Sequence, residues 1–250
     1  MTTHRRPSVV GAEDLPLSPV PGTNATFRVP IDRTTTGCQN LVQRVFRYEA
    51  GTSPEMINED SEDVIFVVSG SGEAVVGRQT YPLTLYTGLL APPRVPYVIR
   101  NPGPAPLELV SVLSPQPGRP ASVPPSPKAK PVGKLAVHES EEKSLPAGDD
   151  RYFKLMIDPR YGSKYLTQFI GFIDKSRAPF HIHPYEEAIY ILGGAGIVHI
   201  ESGDYPIRAG TSIYLPPGTS HCLENAGPET LRLLGVFCPA GSPADKEEDE

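Results

Sequence analysis

The stretch APFHIHPYEEAIYILGGAGIVHIESGDYPIRAGTSIYLPPGTSHCLEN, residues 178–225, decides the fold. It places His181, His183 and Glu187 in one cluster and His221 in a second, each followed by turn residues. Two histidines at a spacing of two share one face of a strand, and imidazole with carboxylate is the donor set that suits Fe, Mn, Co, Ni, Cu or Zn. A metal site is the first expectation.

The stretch has a counterpart earlier in the chain. Sliding the second half back by 124 positions, without a gap, lays Tyr205 and Pro206 on Tyr81 and Pro82 and Gly194 and Gly196 on Gly70 and Gly72. The same register lays Pro216 and Pro217 on Pro92 and Pro93, and Asn225, Gly227 and Pro228 on Asn101, Gly103 and Pro104. Self-similarity at a fixed offset is the signature of duplication, so the chain is read as two copies of one β-domain. The copies differ at the ligand-type positions: His181 falls on Ile57, His183 on Glu59, Glu187 on Asp63 and His221 on Tyr97. The architecture therefore does not demand the imidazoles, and their presence in the second copy asks for a chemical reason. Without a nitrogen donor, Glu59 and Asp63 could hold at best a hard cation.

The order His181, one residue, His183, three residues, Glu187, six residues, Gly194, and then Gly210, five residues, Pro216, one residue, Gly218, two residues, His221, three residues, Asn225 resembles the two motifs of the cupin superfamily. The glycine that opens the first motif is displaced to Gly171. The resemblance covers residues 150–240 directly and 30–114 through the repeat, so the whole is similar to a bicupin. It implies an all-β fold of two double-stranded β-helix, jelly-roll barrels. It further implies one divalent transition metal, Fe2+ or Mn2+ first and Ni2+, Co2+, Zn2+ or Cu2+ as alternatives, held by His181, His183, Glu187 and His221 of the C-terminal barrel. The pattern agrees: His181, His183, Glu187, Ile189 and Ile191 share the inward parity, the turn at Pro216-Pro217-Gly218 aims His221 at the same point, and Glu186 faces away. Burying three imidazoles and a carboxylate unpaired would be costly.

The predicted organisation is a flexible arm over residues 1–25, an N-terminal barrel over 26–114, a Pro-rich linker over 115–137, a C-terminal barrel over 138–240 and a disordered acidic tail over 241–250. Thirty prolines and 23 glycines, with no Trp, favour short strands joined by turns. Acidic residues outnumber basic ones, 29 to 23, and no basic stripe suggests nucleic acid. The absence of a signal-like or membrane-length apolar run predicts a soluble, cytoplasmic protein. Cys38, Cys222 and Cys238 are read as free, inert thiols, and Cys222 as facing away from His221.

Among other side chains, Gln168 shares the parity of Ile170 and Phe172 and is expected to project into the barrel, as a substrate-orienting donor or as a hydrogen-bonded core residue. Ile189, Ile213 and Leu223, with Ile191 and Leu215, are expected to line an apolar pocket for a small organic substrate. His199 is read as a surface or interface histidine. Arg44, Arg94 and Arg100 are candidates for a small anion in the first barrel, exposed arginines being the simpler account. Members of this superfamily carry out unrelated reactions, so the fold does not choose one. The first expectation is a dioxygenase that takes O2 and a small enol, phenol or keto acid, with Glu187 as fourth ligand or catalytic base. The second is a redox-neutral decarboxylase, isomerase or hydrolase, and the third a binding module without catalysis. The first copy is expected to be structural, and barrel-to-barrel association to give a homodimer.

Overall fold

The computed structural model describes residues 6–130, 133–148, 150–245 and 247–248. The N-terminal half contains β1 (Ser8–Gly11), β2 (Ser18–Pro19), β3 (Ala25–Ile31), β4 (Val42–Tyr48), β5 (Gly51–Thr52) and β6 (Glu62–Ser69). It continues through β7 (Gly72–Val76), β8 (Gln79–Leu83), β9 (Thr87–Ala91), β10 (Tyr97–Asn101) and β11 (Leu107–Ser114). The C-terminal half contains β12 (Ala136–His138), β13 (Leu145–Gly148), β14 (Arg151–Leu155), β15 (Thr167–Ile173), β16 (His181–Ile182) and β17 (Glu186–Gly193). It ends with β18 (Ala195–Ile200), β19 (Gly203–Arg208), β20 (Thr211–Leu215), β21 (His221–Asn225), β22 (Leu231–Cys238) and β23 (Glu247–Glu248).

Two barrels result, each a seven-stranded sheet facing a smaller one. In the N-terminal barrel the order β12-β9-β6-β11-β4-β3-β2 faces β5-β10-β7-β8, and in the C-terminal barrel β1-β20-β17-β22-β15-β14-β13 faces β19-β18-β21-β16-β23. The offset of 124 holds strand for strand from β6 with β17 to β11 with β22. Strands β6 and β17 are buried over their first six residues, which alternation alone would not give. Their inward residues, such as Ile189 and Ile191, fill one barrel, while outward Ala188 and Tyr190 join a core cluster with Val64 and Phe66 of the other. A strand buried on both faces reads as a near-continuous apolar run.

The segment before each barrel docks on the other one. Strand β1 pairs with β20 of the C-terminal barrel, Val9 opposite Ile213, so the arm expected to be flexible is ordered from Arg6 onward, and residues 1–5 lie outside the described residues. Strand β12 pairs with β9 of the N-terminal barrel, Ala136 opposite Leu89, so the linker's end and His138 belong to the first barrel's sheet. The tail expected to be disordered is in part ordered: β23 pairs with β16, while residues 246, 249 and 250 lie outside the described residues.

Two carboxylates pin this exchange. Glu186 faces out of its barrel, as expected, and accepts from the backbone N–H of Gln39 (2.8 Å) and Asn40 (2.9 Å) and from the Tyr214 hydroxyl (3.0 Å). Its counterpart Glu62 accepts from Ser163 Oγ (2.7 Å) and from the N–H groups of Lys164 (2.8 Å), Tyr165 (2.7 Å) and Leu166 (3.0 Å). Each barrel thus satisfies backbone donors of the other, which buried donors require. Among the described residues no helix is long and apolar enough to cross a membrane.

Candidate metal centre

His181 and His221 sit directly opposite each other on β16 and β21, and the turn after β16 brings His183 alongside. Ring centroids lie 4.4 Å apart for His181 and His221, 5.0 Å for His181 and His183, and 5.7 Å for His183 and His221. One ring nitrogen from each falls within 4.8 Å of the others, a group that could hold a metal ion. Gly218, in the left-handed region at φ 75°, makes the turn that aims His221, and its N–H donates to the His183 carbonyl at 2.9 Å. The equivalent Arg94 holds the same turn at φ 64°.

In all three rings Nδ1 meets a backbone carbonyl: Pro179 for His181 (2.9 Å), Asp245 for His183 (3.1 Å) and Thr219 for His221 (2.9 Å). A carbonyl only accepts, so each Nδ1 carries the proton and Nε2 presents the lone pair, the orientation that metal-binding histidines need. Burial, and then the two neighbouring imidazoles, push the His221 pKa down to about 3. The ring is therefore neutral, as a ligand must be.

Glu187 lies beside this triplet, with Oε2 3.7 Å from His221 Nε2. With His221 neutral this contact is not an ion pair, and Oε2 is buried without a hydrogen-bond partner. Burial alone pushes the Glu187 pKa up to about 8. A divalent cation would supply the charge this carboxylate lacks, so the donor set fits a metal.

The N-terminal barrel solves the same electrostatic problem differently. Asp63, at the position of Glu187, receives Arg44 Nη2 at 2.8 Å and Ser111 Oγ at 2.7 Å, and Arg44 also donates to Ser111 Oγ at 2.9 Å. In the pairing of β4 with β11, Arg44 stands opposite Ser111, and in that of β15 with β22, Phe169 stands opposite Gly235. A Cβ on Gly235 would come within 2.1 Å of Phe169 Cζ, so that glycine makes room for the ring. An internal cation in one barrel is thus replaced by an aromatic ring in the other. The anion-site candidates of the first barrel are accounted for: Arg44 pairs with Asp63, Arg94 with Asp60 at 3.3 Å, and Arg100 lies 3.8 Å from Glu73.

This pairing also corrects the reading of Gln168. The strand pairs place Tyr48 on Leu107 and Ile173 on Leu231, so β4 and β15 correspond at an offset one greater than the rest of the repeat. The inward residues are therefore Phe169, Gly171 and Ile173, all lining the cavity. Gln168 points the other way, its Oε1 2.5 Å from where a Cβ of Gly88 would stand in the N-terminal barrel, and it is not among the residues lining the cavity.

A cavity of about 100 Å³ opens on the histidines. Ile189 and Leu223 line it, whereas Ile213 packs in the surrounding core and is not among its lining residues. Sequence reasoning missed Phe153, Phe169, Phe237 and Pro243; pairing β15 against the β22 glycine would have found Phe169. It also missed Arg151, the one guanidinium among the described lining residues, whose Nε is buried without a partner. His199 is not a surface residue: it is buried on the outer face between Asp204 (2.6 Å) and Glu224 (2.9 Å). All three cysteines are free and buried, and Cys222 meets Arg177 Nε at 3.4 Å, away from the centre.

Comparison with known proteins agrees with this architecture. A solved oxalate decarboxylase from Lactobacillus farciminis superposes with a TM-score of 0.77 at 15% identity, covering 99% of this chain and 90% of its own. The Ylba protein of E. coli superposes with a TM-score of 0.75 at 15% identity, covering 95% and 93%. At such identities the likeness shows the fold alone. An oxalate-binding protein of Thermotoga maritima is 40% identical over 63 residues, 25% of this chain and 52% of that protein. The chain spans about half the length of the curated relatives it matches. The Cupin domain family matches twice, at residues 44–113 and 173–237. With both barrels matched over more than half of its length, the chain belongs to the cupin family, as a bicupin.

Proposed function

We propose that the C-terminal barrel is a metal-dependent enzyme acting on a small organic acid, with His181, His183, Glu187 and His221 as ligands of one divalent transition metal. The cupin resemblance puts Fe2+ or Mn2+ first, with Ni2+, Co2+, Zn2+ and Cu2+ as alternatives, since imidazoles with a carboxylate accept all of these and supply decides occupancy. The observation that carries this reading is the contrast between the barrels: Asp63 is matched by a guanidinium, while Glu187, equally buried, has Phe169 where that guanidinium would stand.

A divalent ion bound there supplies Lewis acidity and open positions for substrate oxygen. The chain supplies the rest. Phe153, Phe169 and Phe237 exclude water, which strengthens every electrostatic contact inside the cavity. Arg151 offers a planar pair of donors suited to a carboxylate. Glu187, whose carboxyl burial holds neutral without a metal, would give up that proton on joining the ligand set, so metal binding would release a proton there. The name of the Thermotoga relative supports an acid as ligand, and a guanidinium in the wall favours a carboxylic acid over an enol or phenol.

The test is turnover of a panel of small mono- and dicarboxylic acids by Mn2+- or Fe2+-loaded protein, with and without O2. Metal-dependent turnover with a KM raised at least tenfold by Arg151→Gln is expected. Turnover at full rate without O2 would assign redox-neutral chemistry, and stoichiometric O2 uptake the oxygenation expected from the sequence. Turnover that survives complete removal of metal would overturn the reading.

A further inference from the structure

Beyond the end of β22 the chain does not leave the barrel but crosses its mouth. Pro243 lines the cavity. The crossing is a compact turn: Asp245 N–H donates to Ser242 O at 2.9 Å, and Ser242 N–H to Asp245 Oδ2 at 3.2 Å. Tyr185 tethers it, its hydroxyl donating to Asp245 Oδ2 at 3.0 Å. A Cβ on Gly241 would fall 2.1 Å from Tyr185 Cζ, so the turn lies flat on that ring only because residue 241 has no side chain. The ring is itself wedged, 5.0 Å from Phe237 and stacked 6.2 Å from His183.

One contact of this crossing reaches the candidate ligands. His181 and His221 take their Nδ1 acceptors locally, from carbonyls two residues away, whereas His183 takes its acceptor from Asp245, 62 residues further on. Among the described contacts, only His183 of the three imidazoles takes its Nδ1 acceptor from a segment distant in sequence. The partners that orient metal-binding histidines are worth 10–100-fold in metal affinity.

We propose that residues 239–245 form a strap that closes the C-terminal barrel and, through the Asp245 carbonyl, holds His183 as the Nδ1–H tautomer with Nε2 turned to the metal position. Tyr185, Gly241 and Asp245 are then positioning residues, and strap docking and metal affinity are coupled. The affinity half of this inference rests on the metal reading above; the tautomer half does not.

Two measurements on the full chain separate them. Long-range 1H–15N spectra of 15N-histidine protein without metal should show Nδ1–H imidazoles for all three residues. In Gly241→Leu and in Asp245→Ala, the His183 signals should move to a tautomer mixture while those of His181 and His221 stay. Competition of Zn2+ against a chelator should then give a dissociation constant 10–100-fold weaker in both variants, with Tyr185→Phe between them and the wild type. A strap that only obstructs the mouth would raise binding and release rates together, leaving the dissociation constant and the His183 tautomer unchanged. That outcome overturns the proposal. Should the wild type bind no Zn2+ while the His183 signals still follow the strap, the metal reading fails and the positioning of His183 stands.

Discussion

Replacing Arg44 with alanine removes the cation inside the N-terminal barrel, and its cost follows from the geometry. The Asp63 side chain is 1% exposed and that of Arg44 21%, at an N···O distance of 2.8 Å. Stranding one charge of a buried pair costs about 3–5 kcal/mol. The low end, about 3 kcal/mol at pH 7, applies because Ser111 Oγ still donates to Asp63 and the guanidinium is not fully buried. The sign of the pH dependence also follows. Burial raises the Asp63 pKa, with Arg44 the largest opposing influence, so the substitution raises it further. A carboxyl whose folded pKa lies above its unfolded value loses stabilisation as pH rises. The penalty should therefore grow from pH 4 to pH 7, and Asp63→Asn in the same chain should recover most of it. Urea unfolding followed by far-UV circular dichroism and tyrosine emission suits a protein without tryptophan. A penalty below about 1 kcal/mol at pH 7, the range of exposed ion pairs, or one independent of pH, would mean that Arg44 and Asp63 do not form a buried ion pair.

Three further outcomes are expected. Glu62→Ala strands the backbone N–H groups of Lys164 and Tyr165 between the barrels, that of Leu166 keeping Ser163 Oγ at 3.2 Å, and should destabilise the chain by on the order of 3 kcal/mol, with Glu62→Gln milder because it keeps an acceptor; equal unfolding midpoints for the wild type and Glu62→Ala would contradict this role of Glu62. Gln168→Leu should leave turnover and KM unchanged and should not destabilise, because both polar atoms of Gln168 are buried without partners; a raised KM would restore it as a substrate contact. Metal-free protein should lose stability from about pH 6.5 to about pH 8, as the Glu187 carboxyl is forced to ionise in a site without a countercharge, whereas between about pH 4.5 and 6.5 His221, neutral in the fold and protonated when unfolded, offsets that loss; Glu187→Gln should remove the fall above pH 6.5 in thermal melts.

Much of this arrangement is written locally and was legible. The convergence of His181, His183 and His221 follows from strand parity and one Pro-Gly turn, and the repeat makes the N-terminal barrel its own control. What the sequence hides is not local. The offset of Gln168 comes from a connection one residue shorter between β15 and β17 than between β4 and β6, and only the pairing with β22 reveals it. The exchanged strands, SVVG and AVH, are too short to show a period, and their partners lie on the other barrel. Arg151 and the strap carry no motif, since a lone arginine and a Gly-Ser-Pro segment look like any loop until the barrel closes around them.

Metal content decides whether the C-terminal barrel holds one metal ion. Protein saturated with Mn2+ and freed of excess should retain one ion per chain. Asp63→Asn should retain the same, and the double variant His183→Ala, His221→Ala should retain none. Two ions per chain, or undiminished retention without His183 and His221, would contradict the account.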